Sequence, residues 1–214
     1  MIQAKGYAVQ SATSPLAPFA FTRRVPGPND VHIEILYCGI CHTDLHQCRN
    51  DWGGSTYPMV PGHEIIGRVK AVGAAVTKLK AGDFAGVGCM VDSCRQCAAC
   101  QADLEQYCEN GTLWTYNSKQ RDTNETTYGG YSDQIVVEER FVVKVQATLD
   151  LKETITVHII YHLNRPFLTS IHRCIKKASV YCSTLPSRSV DILCNGLAGI
   201  HRRMGQYRLE RQNG

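Results

Sequence analysis

The chain has 214 residues, a formal net charge of +4 and eleven cysteines. That length suits one domain alone or one domain with a remainder, and no apolar run approaches the roughly 18 residues expected of a membrane span. Cysteines in this number, behind an N-terminus without the apolar core of an export signal, point to a reducing, cytoplasmic setting where thiols serve metals or chemistry.

The charge is uneven. Residues 1–145 carry 13 Lys and Arg against 15 Asp and Glu, whereas residues 146–214 carry 10 against 4. So sharp a change marks a boundary between Val145 and Glu153.

In chain order, residues 2–9 predict a short opening strand, and the proline-rich stretch from Pro15 to Pro28 reads as loop and turn. Val31 to Tyr37 alternates apolar and polar residues, the pattern of a half-buried strand, and Gly39 closes it. Cys41-His42-Thr43-Asp44-Leu45-His46 follows as a polar, reactive segment, and Gly62-His63-Glu64 brings a second set of metal-competent side chains. Ile65 to Val72 is apolar and β-branched and predicts a strand. The glycine-rich run Phe84 to Gly88 leads into a cysteine lobe. Asn117 to Thr127 reads as an exposed loop, and two further strands are predicted around Ile135–Val137 and Phe141–Val145. Short strands separated by Gly and Pro, with little helical period, predict a mainly-β, barrel-like domain.

The lobe is the most specific signal. Cys94, Cys97, Cys100 and Cys108 are spaced C-x2-C-x2-C-x7-C. Two-residue gaps let a tight loop aim successive sulfurs at one point, and Zn²⁺ takes four thiolates in a closed tetrahedron. A disulfide cluster and unrelated buried thiols are the rivals, and C-x2-C runs in a cytosolic-type chain favour metal over bridges. An iron–sulfur cluster is disfavoured by the long last gap and the lack of Pro after Cys108. Cys41, His63 and Glu64 are each competent zinc ligands from separate segments, as catalytic sites use. Taken alone, each of these residues also has an incidental reading.

Taken together the motifs are specific. Gly39-Ile40-Cys41-His42-Thr43-Asp44, Pro61-Gly62-His63-Glu64-Ile65-Ile66-Gly67, Gly82-Asp83, Val87-Gly88-Cys89, the four-cysteine lobe and Gly129-Gly130-Tyr131-Ser132 occur in one order. Over residues 1–150 this resembles the zinc-dependent medium-chain alcohol dehydrogenases, and most of all their cinnamyl-alcohol-dehydrogenase and aldehyde-reductase branch. The resemblance implies a GroES-like, partly open barrel with a structural zinc on Cys94, Cys97, Cys100 and Cys108. It implies a catalytic zinc on Cys41 and His63, with Glu64 as an exchangeable carboxylate ligand and Asp44 holding the free ring nitrogen of His63. Thr43 would pass the substrate proton onward, His46 would carry it toward solvent, and His42 would lie near the pyrophosphate of NADP or NAD. Trp52 and Met90 fall where that family lines its substrate cleft, with core packing as the alternative. A small-molecule alcohol or aldehyde is the implied partner, with no membrane.

The resemblance stops after residue 150. No G-x-G-x-x-G follows Val145, and Asn195-Gly196-Leu197-Ala198-Gly199 lacks its spacing and the acidic residue after it, so no complete Rossmann domain is expected. The family takes a further zinc ligand, a cysteine, from the next segment. Here its place falls near Ile160, flanked by His158 and His162, and the nearest downstream cysteine is Cys174. Residues 151–214 read as a poorly patterned basic tail, an out-of-frame or aberrant extension of a dehydrogenase. Tyr181 and Tyr207 alone do not make it a nucleic-acid-binding arm. Since subunits of the family often pair through the nucleotide-binding domain, the oligomeric state stays open.

Overall fold

A computed structural model of the chain describes residues 1–148 and Leu151. The expectations placed on the tail lie outside the described residues. They are the aberrant basic extension and the place near Ile160, flanked by His158 and His162, where the family's further zinc ligand would fall.

The described part is mainly β. Five strands form one antiparallel sheet in the order β8-β3-β4-β5-β9. They are β3 (Asp30–Cys38), β4 (Ile65–Val72), β5 (Phe84–Val87), β8 (Gln134–Glu138) and β9 (Val142–Val145). Their alternation sends Val31, Ile33, Ile65, Val69, Ala85, Val87, Ile135, Val137 and Val142 into one buried cluster. Burying a Val or Ile side chain contributes roughly 1.5–3 kcal/mol, and this cluster is the main hydrophobic support of the sheet.

A hairpin of β1 (Ile2–Ala8) and β2 (Ala17–Arg23) lies alongside. It joins the larger sheet through Tyr7 N–H to Tyr131 O at 2.8 Å and Asp133 N–H to Lys5 O at 2.9 Å. Arg23 clamps the join, donating to the carbonyls of Tyr128, Gly129 and Gln134 at 2.6–3.1 Å. Two short strands, β6 (Met90–Asp92) and β7 (Leu113–Trp114), pair at the base of the cysteine lobe. The lobe itself holds α2 (Ala98–Gln101).

The mainly-β expectation holds, with two corrections. Ala17–Arg23 was expected to be loop and is strand β2. Pro18 sits there opposite Tyr7, in an edge strand that tolerates the lost donor. The polar segment from Cys41 was assigned no element, and His42–Arg49 is helix α1. No apolar stripe announces this helix. Cys41 is its N-cap, and Asn50 closes it in the left-handed region at φ 58°. In the Asn117–Thr127 excursion only Lys119 and residues 121–125 are exposed, while Thr127 is buried.

Candidate metal centres

The first centre is local in sequence. The four sulfurs of Cys94, Cys97, Cys100 and Cys108 all lie within 4.8 Å of one another. Cys94 Sγ and Cys100 Sγ are 3.9 Å apart, far too long for a disulfide and close to the edge of a tetrahedron built on bonds of about 2.3 Å. All eight cysteines among the described residues are free thiols. Backbone N–H groups point at the sulfurs: Cys97 N–H donates to Cys94 Sγ at 3.4 Å and Cys94 N–H to Cys108 Sγ at 3.3 Å. A contact with the Asn110 side chain, aided by the Gln96 and Cys97 N–H groups, pulls the Cys94 thiol down to about 5. Thiolate character and tetrahedral spacing fit a divalent, thiophilic ion. Arg95 bridges from the lobe to the body of the domain, 3.2 Å from Asp92 and 3.2 Å from Glu138 on β8.

The second centre is assembled from separate segments. Cys41 stands at the N-terminus of α1 just beyond β3, while His63 and Glu64 lead into β4. Their donor atoms also lie within 4.8 Å of one another. Asp44, 2% exposed, organises the group from beneath. One of its oxygens accepts from Cys41 N–H at 2.9 Å and from the Tyr131 hydroxyl at 3.3 Å. The other accepts from Gly62 N–H at 2.9 Å and lies 3.3 Å from His63 Nδ1. With Nδ1 committed to Asp44, Nε2 is the nitrogen left to meet the thiols and a metal. Tyr116 stacks on the His63 ring, with centroids 5.9 Å apart. Gly62 permits the approach. Its φ is +100°, and a Cβ there would stand 2.6 Å from a Tyr131 ring carbon.

The electrostatics agree with this geometry. Burial opposes a Cys41 thiolate, but hydrogen bonds with His63 and Thr43 outweigh it and hold the thiol below its usual range. Burial likewise opposes the His63 imidazolium, yet Asp44, Cys41 and Cys89 keep its pKa well above the usual value. Glu64 is pushed up by burial, an effect its neighbour His63 only partly offsets. Negative groups crowded enough to hold a proton on His63 create the field that a divalent cation would neutralise. A sulfur, an imidazole nitrogen and a carboxylate oxygen form a donor set that suits zinc.

The remaining predicted residues spread outward from this centre. Thr43 Oγ1 lies 2.8 Å from Cys41 Sγ. His46 Nδ1 lies 2.9 Å from Asp51, and the His46 ring packs on Trp52 at 4.8 Å. Trp52 is 59% exposed, which excludes its core-packing alternative. His42 is exposed on the first turn of α1. Met90 is half-buried on β6, paired with Trp114. Sequence reasoning missed Tyr131, Tyr116 and Cys89. No short motif in the sequence records these contacts.

Among the described residues no helix is long and apolar enough to cross a membrane. Residues 27–147 match the alcohol dehydrogenase GroES-like domain. The chain is 56% identical over 142 residues to aldehyde reductase YahK of Escherichia coli, covering 66% of this chain and 40% of that protein. It is similar in structure to a cinnamyl alcohol dehydrogenase of Sorghum bicolor, at 46% identity and TM-score 0.70, over 72% of this chain and 44% of the other. It is also similar to a cinnamyl alcohol dehydrogenase of Helicobacter pylori complexed with NADP(H), at 43% identity and TM-score 0.70, over 72% and 45% of the two chains. The chain thus spans about two-fifths of the length of such relatives. A closed thiolate lobe beside a Cys–His–Glu cluster, on a sheet that matches over most of its length, places the chain in the zinc-type medium-chain alcohol dehydrogenase family, in its aldehyde-reductase and cinnamyl-alcohol-dehydrogenase branch.

Proposed function

We propose that residues 1–150 are the catalytic domain of a cytoplasmic, zinc-dependent, NADP-linked alcohol dehydrogenase or aldehyde reductase acting on small molecules. The observation that carries this reading is the Cys41–His63–Glu64 cluster, its donor atoms within 4.8 Å, seated on the buried carboxylate of Asp44. When bound, zinc supplies Lewis acidity at the alcohol or aldehyde oxygen and the nicotinamide exchanges the hydride.

This chain's own residues do the rest. Asp44 accepts from His63 Nδ1, fixes the ring orientation and raises its basicity as a ligand. Thr43, whose hydroxyl already touches Cys41 Sγ, takes the proton of the substrate hydroxyl. His46, paired with Asp51 near the surface, exchanges that proton with solvent. His42, exposed beside the cluster, meets the cofactor pyrophosphate. Trp52 and Met90 border the substrate cleft. Cys94, Cys97, Cys100 and Cys108 hold the second, structural zinc.

A second reading is a zinc-binding remnant without redox turnover, with residues 151–214 standing in place of the nucleotide-binding domain. NADPH-dependent benzaldehyde reduction by the 214-residue chain, measured with zinc content on one sample, separates the two. Turnover with about two zinc ions per chain supports the enzyme. One tightly held zinc, without turnover or NADPH binding, supports the remnant and overturns the enzyme.

A further inference from the structure

We propose that the cavity between β2, β8 and the base of the cysteine lobe binds a small polyhydroxylated molecule, a sugar or cyclic polyol, apart from both metal centres. The cavity measures about 730 Å³, within the usual size of a small-molecule site. None of the donor residues of either metal centre lines it. Phe21, Val91, Leu113, Tyr128 and Ile135 supply its apolar surface, with the Phe21 and Tyr128 rings edge to face at 4.9 Å. The turn from Gln120 to Thr127 forms one wall. That wall is fixed in advance: Thr127 N–H donates to Ser118 O at 2.8 Å, the Thr127 hydroxyl to Trp114 O at 3.0 Å, and Arg121 to the carbonyls of Asn110 and Gly111.

The polar groups select the ligand. Four arginines line the cavity, which would suggest an anion, but three are committed elsewhere. Arg23 and Arg121 donate to backbone carbonyls, and Arg24 holds Asp30 with both terminal nitrogens. The fourth, Arg95, stands between two carboxylates, 3.2 Å from Asp92 and 3.2 Å from Glu138. An added phosphate or carboxylate would meet these acids without a free cation to hold it. Glu138 Oε2 is buried and accepts no hydrogen bond, so it calls for an O–H or N–H donor. The Arg95 guanidinium beside it repels an ammonium, which leaves a neutral hydroxyl. Adjacent hydroxyls on one ring stand at about hydrogen-bond separation from each other. One donates to Glu138 Oε2 while its neighbour accepts from Arg95, and the carbon skeleton packs on the apolar wall. Binding requires no ion at the Cys41 centre and no turnover there.

Two probes with one ring size test this. myo-Inositol carries a hydroxyl on every ring carbon and no aldehyde, whereas cyclohexanol carries a single hydroxyl. Each is titrated into the full chain labelled with nitrogen-15, and the backbone amides of Asp92, Val136 and Glu138 report occupancy. The expected result is saturable shifts with myo-inositol and affinity at least about tenfold weaker for cyclohexanol. Glu138→Leu should weaken myo-inositol binding by about tenfold or more. Val136→Phe, which fills the cavity without touching the Arg95 contacts, should do the same. Cys41→Ser should leave it unchanged, which separates this site from the Cys41 centre and from its proposed activity. Spectra that otherwise overlay show that the variants are folded. Equal or tighter binding of cyclohexanol overturns the recognition of paired hydroxyls. Binding that survives both cavity variants, or that Cys41→Ser abolishes, overturns the site. So does the lack of any saturable shift in the natural chain at about 100 mM myo-inositol.

Discussion

The two donor clusters differ in how the chain builds them. The lobe gathers four sulfurs from fifteen consecutive residues, Cys94 to Cys108, and its own N–H groups point at the sulfurs. The Asp44 centre gathers its parts from the start of α1, the entry to β4 and, through Tyr131, a segment 87 residues away in sequence. A local cluster depends on its metal to fold. A convergent cluster depends on the fold to hold its ligands, and on one buried carboxylate to connect them. Loss of a ligand should therefore unfold the first locally, whereas loss of the carboxylate should loosen the second together with the domain around it.

The largest expected effect is in the lobe. Cys97→Ser should release one metal equivalent and open residues 89–111 to limited proteolysis, because apparent binding energies of about 10–16 kcal/mol at such sites are folding energy. Unchanged protease resistance would erase the contrast. A graded form of this test uses pH. The Cys94 thiol is depressed to about 5 from an ordinary value of 9.0, so the stability it contributes is present at high pH and is lost as pH falls through about 5. Metal release from the lobe, followed by a chromogenic chelator, should rise over that interval.

Next in size is Asp44→Ala. It strands the donors of Cys41, Gly62, Tyr131 and His63 in a buried site, and should cost about 3–5 kcal/mol in denaturant unfolding. Asp44→Asn keeps the shape and should cost less stability, while weakening metal binding at Cys41 and His63 by about 10–100-fold. An Asn variant with unchanged metal affinity would show that Asp44 is scaffold alone. The smallest effect belongs to Asp51→Ala. The His46–Asp51 pair is largely solvated, so unfolding should change by about 0–1 kcal/mol. A larger loss would mean that α1 depends on this pair as well as on Asp44.

The local centre was legible and the convergent one only partly so, for the same reason. Cysteine spacing declares a metal lobe because its donors are neighbours in sequence. Strands β3, β4 and β8 were legible because alternation and β-branched runs are also local. Strand β2 was hidden by prolines that an edge strand can accept. Helix α1 was hidden because capping and Asp44, rather than an apolar stripe, hold it. Cys41, His63 and Glu64 were identified through a family likeness. What joins them, the Tyr131 hydroxyl and Gly62 N–H on Asp44, depends on chain crossing that no short motif records.

The most direct measurement is metal stoichiometry in two single variants of the full chain. His63→Ala and Cys97→Ser should each lose one of two equivalents, and each should keep the equivalent that the other loses. Loss of both together in either variant, or of neither, would contradict two independently built centres.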